Sequence, residues 1–268
     1  MKLKDKVALV TGGGRGIGRA IAEGLAREGA AVAINYSQSK EGALAALDAI
    51  RAMQGQAMVI QADVSSEPDA QAMVRQVVEA YGSIDILVNN AGVSSPAPCL
   101  QISAAALRRI LDVNVAGVFF ASQAAAKAMI ARGRGGCILN VSSLVASRPF
   151  ANAAHYNASK AAVSALTQSL ALELGAHRIR VNEICPASVE TDMVRPALQN
   201  PQHLAHRLAT IPLGRIGQPA DLAGAAVFLC SDDASWVTGA SLVTDGGLSV
   251  IPPFGRPACA GRRGRTGR

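Results

Sequence analysis

Two rhythms of apolar residues alternate along the chain. Ile179–Ile184 reads as a sixth strand, and short, nearly continuous runs of Val, Ile, Leu and Ala occur at Lys6–Val10, Ala30–Ile34, Ala57–Gln61, Ile84–Val88 and Ile138–Ser142. They are too brief for helices and lack the polar alternation of a half-exposed strand, so they predict strands buried on both faces. Between them, Ile17–Gly29, Ser39–Met53, Glu67–Tyr81, Ser103–Arg132 and Ala151–Leu174 carry apolar residues at helical spacing. A last helix and a last strand fit within residues 215–247. Strands alternating with helices build a parallel sheet covered on both sides, so the fold class is α/β, a single doubly wound domain with a seven-stranded parallel sheet. Residues 192–211, with two prolines and no steady period, read as helical or mobile.

Composition narrows this picture. Half of the 268 residues are hydrophobic but only 3% are aromatic, so one large core of Ala, Val, Ile and Leu is expected, suited to helices lying close on a sheet. No uninterrupted apolar run approaches the ~18 residues of a membrane span, and MKLKDKVALVT enters a strand without the layout of a signal peptide. A cytoplasmic protein with no membrane attachment is expected. Five cysteines, an odd number with no C-x-x-C pair, point to reduced thiols. Cys137 and Cys185 fall in predicted strands and read as core residues. The net charge of +7 invites a nucleic-acid reading, yet Val250–Arg268 holds five arginines and no acid, leaving +2 for the rest. This Gly/Pro/Arg-rich tail reads as disordered, which sets the organisation as a domain at 1–249 and a basic tail at 250–268.

Candidate chemistry lies in three places. The first strand runs into TGGGRGIG and then a helix. Glycine lets backbone approach a pyrophosphate and a helix N-terminus offers free N–H groups, although such a cluster is also an ordinary turn. Further on, Ser143 follows the fifth strand, and Tyr156 and Lys160 stand at i and i+4 on the Ala-rich helix, one turn apart on one face. A cation near a phenol favours the phenolate, and lowering its usual pKa of ~10 by ~3 units corresponds to ~4 kcal/mol. A serine at the end of a parallel strand faces the ligand crevice and can bond the same substrate oxygen. Taken alone, a tyrosine and lysine at this spacing are also routine helix decoration. The third place is Asn114, in LDVNVAGVFF, which is costly in an apolar helix unless bonded and otherwise reads as a kink. No His/Cys cluster has metal-ligand spacing, so no metal is expected.

The segment SSLVASRPFANAAHYNASK resembles the active-site stretch of the short-chain dehydrogenase/reductase family, in which a serine precedes Y-x-x-x-K by thirteen residues. T-G-x-x-x-G-I-G at the N-terminus, N-N-A-G after the fourth strand and LDVNVAGVFF extend the resemblance over residues 3–249. It implies a Rossmann-type oxidoreductase that passes a hydride between a nicotinamide and a carbonyl or alcohol carbon. It makes Tyr156 the general acid/base, and it gives Lys160 the tasks of lowering the tyrosine pKa and holding the nicotinamide ribose. Ser143 would orient the substrate carbonyl, and Asn114 would link the lysine to solvent through a water. Cofactor contacts are implied at Gly12, Arg15, Gly16, Ile17 and Gly18 in the glycine turn, and at Asn35, Tyr36 and Ser37 after the second strand. The same holds for Asp63 and Val64, for Asn90, Ala91 and Gly92, for Pro186, Val189 and Thr191, and for Tyr156 and Lys160 themselves. Asp63 also reads as a turn or helix cap. No carboxylate ends the second strand to hold a ribose 2′-OH, and Arg15 offers a fork to a 2′-phosphate; NADP(H) is favoured, with NAD(H) the alternative. Ala187 replaces a glycine usual in the family, a strain on the loop if φ is positive there.

The resemblance points to reduction of a 3-oxoacyl thioester or related carbonyl, with sugar or secondary-alcohol dehydrogenation as the alternative. Arg134, and His177 with Arg178, fall where acyl-carrier reductases have basic docking residues, which makes an acyl carrier protein a candidate partner. A homo-oligomer, dimer or tetramer, is implied through the long helices. Arg195, His203, His206 and Arg207 would face an anionic substrate or solvent. A non-catalytic regulatory protein is a distant alternative, since Tyr156 and Lys160 are both present. Nucleic-acid binding by the tail would have only Phe254 as an aromatic partner.

Overall fold

The computed structural model describes residues 1–250, without the side chains of Pro196, Ala197, His203 and His206. The basic tail beyond Val250 and the two histidines of 192–211 therefore lie outside the described residues. Seven strands, β1 (Val7–Val10), β2 (Ala31–Tyr36), β3 (Ala57–Gln61), β4 (Ile86–Asn89), β5 (Gly136–Val141), β6 (Ile179–Pro186) and β7 (Ser241–Thr244), make one sheet. Its order is β3-β2-β1-β4-β5-β6-β7 and every pairing is parallel. The order reverses between β1 and β4, which opens a crevice at the carboxyl ends of the strands.

The helices are α1 (Gly16–Arg27), α2 (Lys40–Ala52), α3 (Glu67–Tyr81), α4 (Ala104–Leu111), α5 (Gly117–Arg132), α6 (Ala154–Leu174), α7 (Arg195–Leu198), α8 (Pro201–Thr210) and α9 (Ala220–Cys230). Alternate strand residues divide the core in two. Ala8, Val10, Val32 and Ile34 pack with α1, α2 and α9, while Val7, Leu9, Ala33 and Val181 pack with α3, α5 and α6. Short aliphatic side chains on both faces explain the continuous apolar runs. Helix ends follow local chemistry: Ser66 accepts the Asp69 N–H at the start of α3, and Gly82 closes it with φ 78°.

The helix expected over Ser103–Arg132 is divided. A π turn at Asp112–Ala116 separates α4 from α5 and carries Asn114. A single-turn insertion of this kind leaves the apolar period nearly intact, so the pattern gave no warning. Taken together, Ala104–Arg132 is long and apolar enough to cross a membrane by length and composition, but more than half of its most apolar stretch is buried in the fold. Polar residues still interrupt every apolar run, and a core helix buried in its own fold reaches the same mean hydropathy.

Candidate active site

A cleft of about 540 Å³ runs along the carboxyl ends of the strands, lined by the glycine turn, residues 35–39, 62–64 and 90–93, the end of β5, α6, and 186–194. Its first wall is the glycine turn. Gly12 and Gly16 adopt φ of 60° and 53°, conformations open to glycine and strained for other residues. The turn is held from beneath. Asn35 Oδ1 accepts the Gly12 N–H at 3.2 Å, and Asn90 Nδ2 donates to the carbonyls of Thr11 and Gly12, each at 3.0 Å. Thr11 Oγ1 accepts the N–H groups of Asn90 and Ala91 at 2.9 and 3.1 Å. Helix α1 starts at Arg15 with no side-chain cap, leaving its first N–H groups without a side-chain partner at the cleft.

Two of the residues expected at the cofactor have tasks within the protein itself. Gly18 does not line the cleft; a Cβ on it would lie 2.3 Å from Asn90 Nδ2 and 2.5 Å from the Gly12 carbonyl oxygen. It is the spacing residue that lets α1 approach the end of β4. Asn35 borders the cleft but is 1% exposed, and its amide donates to the Ala62 carbonyl at 3.1 Å. It braces the turn. Beyond it, Tyr36 and Ser37 form the rim, and Arg15 pairs across the mouth with Asp192 at 3.7 Å. Asp63 serves the turn before α3, where Ser65 Oγ donates to it at 2.7 Å. That hydrogen bond chiefly, and Arg109 more weakly, hold its carboxyl below the usual range. The α3 cap itself is Ser66.

At the far end of the cleft, β5 delivers Ser143 and α6 delivers Tyr156 and Lys160. Ser143 Oγ donates to the Pro186 carbonyl at 3.4 Å and accepts the Val145 N–H at 3.3 Å. Lys160 Nζ donates to the Val141 carbonyl at 2.8 Å and lies 5.9 Å from the Tyr156 ring centroid. Burial pushes the Lys160 amine down to about 8, with Glu183 opposing. Burial also pushes the Tyr156 phenol up, with the Ser143 hydroxyl opposing. The expected sharpening of the phenol by Lys160 is therefore not a property of the protein alone, because the ammonium is engaged by a backbone carbonyl and desolvation dominates both groups.

Asn114 lies behind this end rather than on the cleft wall, fully buried in its π turn. Its Oδ1 accepts the Val93 N–H at 2.8 Å, and its Nδ2 donates to the Val93 carbonyl at 3.0 Å and to Ser159 Oγ at 3.1 Å. Ser159 Oγ in turn donates to the Tyr156 carbonyl at 2.8 Å. A Cβ on Gly92 would sit 3.4 Å from Asn114 Oδ1 and 3.9 Å from Lys160 Nζ, so this glycine keeps open the gap between the two. Ala187 is not among the positive-φ residues, and the strain considered for it does not arise. Sequence reasoning missed Thr11, Ser159 and a core network in which Asn89 Nδ2 donates to Ser122 and Asn140, and Asn140 to Thr167, each at 2.9 Å. The signal was there, since Asn89 and Asn140 stand in register on adjacent strands.

An uncapped helix end, two glycines in left-handed conformations and a long cleft fit a dinucleotide pyrophosphate, with the Ser–Tyr–Lys group at one end for a reacting ring. Fold and site together define a nicotinamide-dependent oxidoreductase. A family model described as Enoyl-(Acyl carrier protein) reductase matches residues 12–249. L-rhamnose 1-dehydrogenase (NAD(P)(+)) of Azotobacter vinelandii is 43% identical over 253 residues, covering 93% of this chain and 99% of that protein. The 3alpha-hydroxysteroid dehydrogenase of Mediterraneibacter gnavus is 45% identical over 248 residues, covering 92% and 98%. The crystal structure of a gluconate 5-dehydrogenase from Burkholderia cenocepacia, in complex with NADP and tartrate, matches with a TM-score of 0.89 at 35% identity, covering 94% and 98%. The chain belongs to the short-chain dehydrogenase/reductase family and is an NAD(P)-dependent oxidoreductase acting on CH–OH groups.

Proposed function

We propose that residues 1–249 form one catalytic domain that interconverts a secondary alcohol of a sugar, sugar acid or similar small molecule with its carbonyl, using NADP(H) in preference to NAD(H). The observation that carries this reading is the convergence of Ser143, Tyr156 and Lys160 at one end of the cleft whose other end is the glycine turn. Relatives named for rhamnose and gluconate favour this over the 3-oxoacyl-thioester reading. Placement of the basic residues argues the same way. Arg134 precedes β5, and His177 and Arg178 precede β6, so they lie at the amino edge of the sheet, opposite the cleft. For the cofactor, Arg15 lines the cleft and no acid stands at Tyr36, Ser37 or Gln38 to repel a 2′-phosphate.

The pyrophosphate would lie against the N–H groups opening α1, with Asn90 and Thr11 fixing the turn behind it. A bound nicotinamide ring supplies the hydride donor or acceptor and, when oxidised, a positive charge. Tyr156 Oη takes the alcohol proton or returns it to the carbonyl, and Ser143 Oγ holds the substrate oxygen and the phenol together. Lys160 presents its ammonium beneath the phenol and toward the ribose. Asn114 holds Val93 and, through Ser159, the backbone of Tyr156, while the gap kept by Gly92 leaves a path from Lys160 toward Asn114. Exposed Leu107, Leu111, Phe119 and Ile130 on α4 and α5 support a homo-oligomer through these helices; light scattering would give a dimer or tetramer mass, and a monomer would contradict it.

The test is turnover of L-rhamnose, D-gluconate and a hydroxysteroid with NADP+ or NAD+, and of an acetoacetyl thioester with NADPH or NADH, followed by nicotinamide absorbance. The expected result is the highest kcat/KM for a sugar or sugar acid with NADP+. Preference for the thioester, or for NAD+, contradicts the corresponding part of the reading.

A further inference from the structure

Asp85, His155, Lys160 and Glu183 are the buried carboxylic acids and nitrogen bases among the described residues. Asp85 pairs with Arg132 at 2.6 Å, and His155 Nε2 meets Ser95 Oγ at 3.1 Å. Lys160 and Glu183 remain, opposite in sign and on facing elements. The chemistry proposed above has no use for Glu183, which is 1% exposed.

Glu183 stands on β6 in register with Asn140, so its side chain shares the sheet face covered by α6. There its carboxylate accepts from Ser164 Oγ at 2.9 Å and from Ser241 Oγ. Ser164 is four residues after Lys160 on α6, one turn along the same face, about 6 Å of axial rise. Ser142 Oγ donates to the Lys160 carbonyl at 3.2 Å and ties this turn to β5. Cys185, the next residue on the same face of β6, is pushed up to about 12, first by burial and then by Glu183. It is a neutral thiol beside the carboxyl group that the two hydroxyls meet.

We propose that Glu183 is a positioning residue, the buried counter-charge that keeps Lys160 an ammonium beneath the cleft. The proposal rests on the role given to Lys160 above. The titratable groups facing Lys160 are Glu183 and Cys185 from β6 and Tyr156 from its own helix. β5, the turn after it and the π turn face it with the Val141 carbonyl, Ser142, Ser143 and Asn114, which carry no charge. Burial drives the amine toward neutrality, and Glu183 is the largest influence acting against it.

The test uses the full chain labelled with 15N-lysine. The Lys160 ammonium resonance, assigned by its loss in Lys160→Met, is followed with pH in wild type, Glu183→Gln and Glu183→Asp, beside the pH profile of alcohol oxidation. Glu183→Gln keeps the shape and one accepting oxygen but removes the charge, so the Lys160 midpoint should fall by about one pH unit or more. Glu183→Asp retains the charge and should stay nearer wild type. An unmoved midpoint in Glu183→Gln overturns the proposal. A midpoint that falls while the activity profile stays in place upholds the pairing and overturns the role given to Lys160 in the reaction. Should Glu183→Gln not fold, Ser164→Ala takes a donor from the carboxylate and should lower the midpoint by a smaller step; a midpoint equal to wild type then overturns the pairing.

Discussion

The two walls of the cleft are built by different means. On the glycine-turn side, Thr11, Asn35 and Asn90 direct side-chain hydrogen bonds at backbone groups, between 2.9 and 3.2 Å, in buried or half-buried surroundings. On the opposite side, residues 191–211 form two short helices, and Asp192 pairs with Arg15 and Arg195 while each of these side chains is about half exposed or more. Buried bonds to backbone impose one geometry because breaking them strands a polar group, whereas an exposed ion pair contributes ~0–1 kcal/mol and tolerates many arrangements. The first wall is therefore suited to a part shared by every substrate, the cofactor. The second is suited to what differs between substrates.

Substitutions across the two walls sharpen or break this contrast. The largest effect belongs to Tyr156→Phe, which should lower turnover by ~10²–10⁴ and leave the NADP+ dissociation constant, read by calorimetry, unchanged. Lys160 comes next. Its amine is held at about 8 against 10.5, so between those values the unfolded chain binds the extra proton and stability rises with pH; below 8 the buried cation is a standing cost. Urea midpoints at pH 7 and pH 10 should show wild type gaining ~3 kcal/mol relative to Lys160→Met. Gly18→Ala would place a methyl against Asn90 and the Gly12 carbonyl and should cost ~1–3 kcal/mol, seen as a lower Tm together with weaker NADP+ binding. Arg15→Ala should weaken NADP+ about tenfold, ~1.4 kcal/mol, with NAD+ unaffected. Smallest of all, Asp192→Asn should change unfolding free energy by less than ~0.5 kcal/mol. A loss comparable to that of Gly18→Ala would mean that both walls are equally fixed.

Much of this was legible in the residues. Five of the seven strands announce themselves as nearly continuous aliphatic runs, and Ser143, Tyr156 and Lys160 stand out because a helix turn and a strand end fix their relative places. What the chain concealed has physical causes. A π turn alters one turn of hydrogen bonding and hardly disturbs an apolar period, so Asn114 was found while its setting was not. Gly18 and Asn35 belong to the expected motif but act on the protein's own backbone, a distinction that depends on close contacts between β1, β2 and β4. Glu183 stands on β6 beside Arg180 and Asn182, and nothing in that run tells that Ser164 and Ser241 meet it. Lys160 was expected to act on the phenol; its bond to the Val141 carbonyl depends on where α6 crosses β5. The substrate wall offers neither period nor buried motif, which is why relatives named for sugars moved the reading away from a thioester.

The claim on which all of this turns is that the ionisation of Tyr156, set against burial by the neighbouring Ser143 hydroxyl, governs the reaction. Its most direct test is the pH dependence of kcat/KM for alcohol oxidation in wild type and Ser143→Ala. The limb on which activity rises with pH should follow Tyr156 in wild type, and it should move to higher pH in Ser143→Ala, where the phenol loses the neighbour that lowers its pKa. The same midpoint in both proteins would contradict it.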